Sequence, residues 1–587
     1  MRRLRLIAVL FMGIIFILLA LMGRCLFLQV LSHDYYQDKC LHQQRSLTSQ
    51  RAPRGAILDA QGRILAASNQ VRTVFVEPRL IHQPKKTATQ LAEVLNVGAH
   101  ILCQKIMESR NPGYVKLWDN ATWEQAQAVR RFPGVGVQYE WQRYYPMDEL
   151  CSHLVGFTNV DGGQGGVEGQ YDRYLKGESA ELRFLADHRR RPVSLYTAVE
   201  TKTASGGPGE GVILTLDSTI QQFAREELSK QIATFEAEAG FAVVADPRNG
   251  AILALVSLPD FHPKEVGQAS DDMMRNRAIL DTYEPGSIMK PIVAAIALDA
   301  GVITRTEKIY CEDGVYIGKG FGRIGEYEDH KYGNLDVKGI LINSSNIGMA
   351  KIGQKMGAEK LYRGLQLFGF GTKTGITLPG EGSGHVFTAQ QMKRDTYTLA
   401  RVPYGYGIAV TGIQMLRAYC VLANGGHLVQ PHVVKAFVDE EGKRIMRDTG
   451  YDVAGDVGVI IDPEVAHWMV DEALAAVVSD EKGTGRRARL KRWRVFGKTG
   501  TARIAKKESR GYEEGAYAAS FIAGAPAEDP RLVVMVSIRK PNRRLGKGYS
   551  GGPVASPVVG KIIERTLSYY ESRGLIAAPP STDDDSI

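Results

Sequence analysis

The sequence predicts an α+β protein: an apolar N-terminal helix, an elongated mixed α/β region, then a larger domain with an antiparallel sheet flanked by helices. Three observations carry this. Residues 6–23 hold no charge, and as a helix they span about 27 Å, close to a bilayer core. Thr201-Lys-Thr-Ala-Ser-Gly-Gly-Pro-Gly-Glu-Gly211 is a linker by composition. Beyond it come strand-like runs, then helical runs, then strand-like runs again, the order of an antiparallel sheet with helices on its faces.

The N-terminal helix is flanked by Arg2, Arg3 and Arg5, and apolar residues resume after Arg24 as far as Leu31. The segment is long for a cleaved signal, and no small-x-small cleavage site follows it. Basic residues on its N-terminal side place residues 1–5 in the cytoplasm, 6–31 in the membrane and the rest outside. Residues 32–205 mix short strands, turns and helices without a catalytic cluster. Arg54-Gly-Ala-Ile-Leu-Asp59 reads as a strand entering a tight turn. Arg143-Tyr-Tyr-Pro146 precedes a glycine-rich turn, Asp161–Glu168, and helical residues 170–175. Structural roles are the default for all of these.

The larger domain, 206–570, opens with a strand at Val212 and a helix over 218–230. Asn249-Gly250 between the apolar runs 241–246 and 251–257 is a hairpin signal. A long helical stretch surrounds Ser287, and further helices run to about Leu422. Strands are expected at 495–501, 516–525 and 532–538. The tail, 571–587, ends in Pro, Ser and Asp residues and reads as disordered.

The bulk numbers bound the function. Of 587 residues, 44% are apolar and 23% charged, enough for large cores. The net charge of +9 suits an anionic membrane as well as nucleic acid, and an outward-facing chain argues against the latter. The six cysteines, at 25, 40, 103, 151, 311 and 420, show no CxxC or Cys/His cluster. Buried free thiols are expected, with no metal and no cofactor.

Chemistry enters at Tyr283-Glu-Pro-Gly-Ser-Ile-Met-Lys-Pro291. Ser287 and Lys290 stand three apart, so a helix puts them on one face. Ile292–Leu298 is apolar on every side and belongs in a core. Ser287 is therefore expected at the N-terminus of a buried helix, with Lys290 one turn further in. The helix dipole and poor solvation both disfavour a protonated lysine there, which leaves a general base beside a nucleophile. Alone, Ser-x-x-Lys recurs by chance, as a capping serine and a solvated lysine. Two more motifs change its meaning. Ser344-Ser345-Asn346 lies between amphipathic runs, and Lys498-Thr499-Gly500-Thr501 lies on an expected strand. Ser-x-x-Lys, Ser-x-Asn and Lys-Thr-Gly in that order are the motif set of penicillin-binding proteins and class A β-lactamases.

The chain resembles the class B penicillin-binding proteins, monofunctional D,D-transpeptidases that cross-link peptidoglycan. The resemblance runs from the anchor to about residue 570. It takes in Arg54-Gly-x-Ile-x-Asp59, Gly166-Val-Glu168-x-x-Tyr171, Tyr406-Gly407, Thr411, Gln414 and Gly551-Gly552. Ser345 stands where the motif's aspartate would, and Ser-Ser-Asn is more similar to division-type (septal) members than to elongation-type ones. The resemblance makes residues 32–205 a non-catalytic pedestal of the dimerisation type and 206–570 the transpeptidase domain. It implies that Ser287 attacks a D-Ala-D-Ala carbonyl while Lys290 takes its proton. Ser344 relays that proton to the departing nitrogen, and Asn346 bonds the substrate amide. Lys498 makes the site positive, and Thr499 and Thr501, on either side of Gly500, bind the terminal carboxylate. The backbone N–H groups of Ser287 and Thr501 form the oxyanion hole. Implied partners are stem peptides, β-lactams, the lipid bilayer, a polytopic glycan polymerase and other divisome membrane proteins. Arg189-Arg-Arg191 does not map onto the family.

Competing signals have plainer readings. Gly320-Phe-Gly-Arg-Ile-Gly325 matches a nucleotide fingerprint but lacks the following apolar helix, so a turn is expected. Gly548-Tyr-Ser550-Gly-Gly552 matches a hydrolase elbow, yet no histidine follows. The basic run 482–494 reads as a solvated face. Other function classes share the triad: an elongation- or sporulation-type transpeptidase, a β-lactam hydrolase or sensor, and an inert division scaffold. Ester lifetime separates hydrolase from transpeptidase, and an intact set of motif residues argues against a scaffold.

Overall fold

A computed structural model describes residues 2–50, 52–159, 161–178, 180–185, 207–445, 458–506 and 511–577. Arg189–Arg191, most of the linker and the end of the tail lie outside the described residues. The chain forms two compact units, one of residues 1–54, 70–142 and 176–209, the other of 55–69, 143–175 and 210–587.

The first unit begins with a helix, Arg2–Leu26, continued by a wider turn over Phe27–Leu31. None of it is buried, and it is long and apolar enough to cross a membrane. A small core forms where the helices Pro84–Leu95 and Ala99–Met107 pack against strand residues 74–76 and Val115–Trp118. Leu91, Leu95, Leu102, Val74, Val76 and Leu117 meet there. Leu91 and Leu95 on the first helix, and Leu102 and Ile106 on the second, each recur four apart, the spacing of one buried helix face.

The second unit is built on a five-stranded sheet of spatial order Ile252–Leu258, Ala239–Ala245, Leu532–Arg539, Tyr512–Ala525, Phe496–Ala505. Every neighbouring pair is antiparallel. The hairpin at Asn249-Gly250 forms as its residues require, with Gly250 at φ +80°. The central strands are buried on both faces and accordingly read as continuous apolar runs rather than alternating ones. Ala242, Val244, Val534 and Val536 face the helices Ser218–Thr234 and Ser556–Ser572. Val243 and Met535 face the other way, into a larger core with Lys290–Asp299, Asn346–Leu367 and Gly412–Ala423. Strands covered by helices on both sides make this an α+β fold. Its edge strand, Phe496–Ala505, carries Lys498-Thr-Gly-Thr501.

Two local expectations are corrected. No long helix precedes Ser287: a single turn, Arg277–Leu280, is followed by extended chain that bridges Tyr283 to Val410. Pro285-Gly286 cannot continue a helix, and Gly286 sits at φ +59°. Residues 320–325 are more than a turn, since Val315–Gly318 and Gly322–Gly325 pair as a small antiparallel hairpin. Cys151, Cys311 and Cys420 are buried free thiols, Cys103 is half-buried and Cys25 exposed.

Candidate active site

Ser287 lies in a four-residue 3-10 turn, Gly286–Met289, and Lys290 is the first residue of the following α-helix. The sequence alone predicts that Ser287 opens that helix. The tighter turn arises because Pro291, which has no N–H to offer, must stand within the first turn. Lys290 N–H donates to Ser287 O, so the three-residue spacing still leaves both side chains on one face of the turn. Gly286 N–H donates to Gly405 O (3.0 Å), and Tyr419 Oη–H donates to Ile288 O (2.9 Å) from the core. Ser287 is half-buried, whereas Lys290 is fully buried.

Lys290 Nζ uses its donors across the helix junction. It bonds Asn346 Oδ1 (2.8 Å), Ser344 O (2.5 Å) and Ser344 Oγ (3.2 Å). No hydrogen bond joins Lys290 Nζ to Ser287 Oγ among the described residues. The junction joins Val337–Asn343 to Asn346–Leu367, and Ser344 turns it in the left-handed region at φ 55°, ψ 42°. That conformation is costly for a serine and aims its carbonyl at Lys290 instead of along the helix. Ser345 caps the second helix by accepting from Gly348 N–H (2.9 Å).

Lys498, also fully buried, donates to the same Ser344 Oγ from the sheet side (3.0 Å). The three motifs thus converge on one hydroxyl. Contact between strand and turn is close: a Cβ on Gly500 would lie 3.0 Å from Ile288 Cγ2 and Pro285 O. Thr499 Oγ1 donates to Thr484 Oγ1 (2.8 Å), and Thr501 Oγ1 accepts from Gly551 N–H (3.2 Å). Thr484, from the basic run, has no signal in the sequence that marks it. Elsewhere in that run Arg492 pairs with Glu571, and Arg494 with Asp471 and Glu528.

Glu326 was also missed. It follows the small hairpin, is buried, and accepts from Ser345 Oγ (2.5 Å), Asn346 N–H (2.6 Å) and Ile347 N–H (3.3 Å). The sequence treated its surroundings as a turn, and nothing in the spacing ties it to a loop twenty residues on.

Electrostatics follow burial. Desolvation pulls Lys290 down to about 7, opposed by the charge of Glu326. Desolvation, and then the charge of Lys290, push Lys498 well below its ordinary value. Two buried lysines sharing one hydroxyl cannot both stay protonated cheaply, and at least one neutral amine results. Among the described residues no group of three or more His, Cys, Asp or Glu is placed to hold a metal ion.

Comparison with known proteins places this geometry. Residues 240–564 match the penicillin-binding protein transpeptidase domain, and 49–208 the penicillin-binding protein dimerisation domain. The chain is 32% identical over 96% of its length to the probable peptidoglycan D,D-transpeptidase PenA of Neisseria meningitidis, covering 91% of that protein. It is 34% identical over 88% of its length to stage V sporulation protein D of Bacillus subtilis, covering 78%, and 30% over 94% to the peptidoglycan D,D-transpeptidase FtsI of Escherichia coli, covering 90%. A peptidoglycan synthetase structure from Bifidobacterium adolescentis superposes with a TM-score of 0.69 at 25% identity, covering 92% of this chain and 98% of that one. With both domains matched and such coverage, the chain belongs to the class B penicillin-binding proteins.

Proposed function

We propose that the chain is a membrane-anchored peptidoglycan D,D-transpeptidase working through an acyl-enzyme on Ser287, and a target of β-lactams. The observation that supports this most is the meeting of fully buried Lys290 and Lys498 on Ser344 Oγ beside the Ser287 turn. Ser287 Oγ attacks the carbonyl carbon of the penultimate D-Ala, and its proton passes to neutral Lys290 Nζ. The tetrahedral oxyanion is held by the backbone N–H groups of Ser287 and Thr501. The C–N bond then breaks, the proton travels from Lys290 through Ser344 to the departing D-Ala nitrogen, and the ester remains. The amine of a second stem peptide attacks that ester and loses a proton, and Ser287 leaves with its hydroxyl restored. Asn346 orients the substrate amide.

Lys498 does not match a permanently positive site, because burial and Lys290 both favour its neutral form. An entering carboxylate reverses this by supplying the opposite charge, so the cation forms with the substrate that needs it. Thr501 accepts from Gly551 and keeps its own proton for that carboxylate. Thr499 donates to Thr484 and must release it first. Fluorescent penicillin tests the reading: label on Ser287, lost in Ser287→Ala, supports it, and label on another serine contradicts it.

The finer assignments stand on the resemblance. The domain limits 6–31, 32–205 and 206–570, an outward-facing catalytic domain, and a polytopic glycan polymerase met through the anchor belong to this proposal, as does a septal role. Similarity to a sporulation protein at 34% identity favours one other setting for the same chemistry. Depletion separates them: filaments or chained cells are expected, whereas growth that divides normally and fails only to sporulate would move the protein to that setting.

A further inference from the structure

Glu326 is the carboxylate whose charge reaches Lys290, yet it makes no hydrogen bond or ion pair with that lysine. Its two oxygens accept from three donors at the start of Asn346–Leu367, a helix whose positive end favours an anion. Gly325, the residue before it, accepts from Asn346 Nδ2 (3.0 Å). The end of the small hairpin therefore grips Asn346 by its main chain and by one side of its amide. The other side, Oδ1, is left facing Lys290 Nζ (2.8 Å). Ser344 needs the same support, because a serine in the left-handed region holds its place only if its neighbours do.

Resting on the catalytic reading above, we propose that Glu326 is a positioning residue for acylation, pinning the Ser344-Ser345-Asn346 turn so that Ser344 and Asn346 hold Lys290. Its charge has a second effect. Lys290 is faced by Glu326 from the hairpin side and by Lys498 from the strand; Glu326 in turn is faced by Lys290, Cys311, Tyr332 and Tyr404. Of these only Glu326 is a carboxylate. Its charge favours the protonated form of Lys290, so removing it makes the amine lose its proton at lower pH.

The experiment is the second-order rate of acylation by fluorescent penicillin against pH, on the full chain, with thermal melting of each variant. Glu326→Gln keeps the shape but turns an amide donor toward N–H groups that are themselves donors. Its plateau rate is expected to fall on the order of 10- to 100-fold, as small misplacements of catalytic groups do, and its acid limb to move to lower pH. Glu326→Asp keeps the charge and shortens the reach, so it loses part of the rate and keeps the midpoint. A Gln variant with an unchanged plateau, or a lower plateau and an unmoved midpoint, overturns the proposal. So does an Asp variant whose midpoint moves away from that of the wild type, and this arm still decides if Gln does not fold. Wild-type protein that takes no label on Ser287 sinks the catalytic reading itself, a different failure from a labelled wild type matched by its variants.

Discussion

In the proposed mechanism Lys290 acts as a base only when its amine is neutral, and its surroundings decide when that is. Burial disfavours the charged form and brings its pKa to about 7. Below that pH the ammonium form grows and cannot take the Ser287 proton. Acylation is thus predicted to fall about tenfold per pH unit once the pH is well under 7, with a plateau above it. A rate that rises only above pH 9 would mean an ordinary exposed lysine. Lys290→Ala should slow acylation by on the order of a thousandfold or more, as loss of one member of a coupled unit does. Asn346→Ala should cost less, roughly 10- to 100-fold, because in the proposed mechanism Asn346 holds Lys290 and substrate in place and moves no proton. Stopped-flow acylation rates check both, and an Asn346 loss larger than that of Lys290 would reverse the assigned roles.

At the scale of elements, the site depends on how closely the edge strand approaches the serine turn. Gly500 has no room for a methyl, with Ile288 Cγ2 and Pro285 O each 3.0 Å from where a Cβ would sit. Gly500→Ala should push strand and turn apart by a few tenths of an ångström and slow acylation at least about tenfold. Overpacking should also cost roughly 1–3 kcal/mol of stability, read from denaturant unfolding. A variant with wild-type rate and stability would show that the strand is free to shift. The strands themselves were readable beforehand. Asn249-Gly250 marks a turn that few other dipeptides make, and two apolar runs near the C-terminus, 516–525 and 532–538, have the length of buried strands. The helix-to-helix placement of Ser344–Asn346 was readable too, from two amphipathic runs. The 3-10 turn at Ser287 was not, since i+3 and i+4 bonding leave the same residues on one face. Glu326 and Thr484 were invisible for another reason: their partners are distant in sequence, and no local pattern records such contacts.

For the molecule as a whole, the helix at Arg2–Leu31, the one among the described residues long and apolar enough to cross a membrane, bears on which compartment the catalytic unit works in. Arginines 2, 3 and 5 predict a cytoplasmic N-terminus. A periplasm-active reporter fused after residue 570 should be on and a cytoplasm-active one off. The opposite pattern would separate the enzyme from its wall substrate. A cytoplasmic N-terminus would deliver the site to peptidoglycan, and the proposed chemistry there rests on a long-lived ester at Ser287. A transpeptidase must shield that ester from water until an amine arrives, and a bound β-lactam keeps the amine out. Ser287→Ala removes one half-buried oxygen at a turn, so it should melt close to wild type while taking no label. The direct measurement is intact-protein mass followed over time after excess penicillin is removed, with the adduct mapped by peptide digestion. A single adduct on Ser287 that persists for minutes or longer is the predicted result. An adduct gone within seconds would make the protein a β-lactam hydrolase, and one mapped to any other serine would contradict the account of the site.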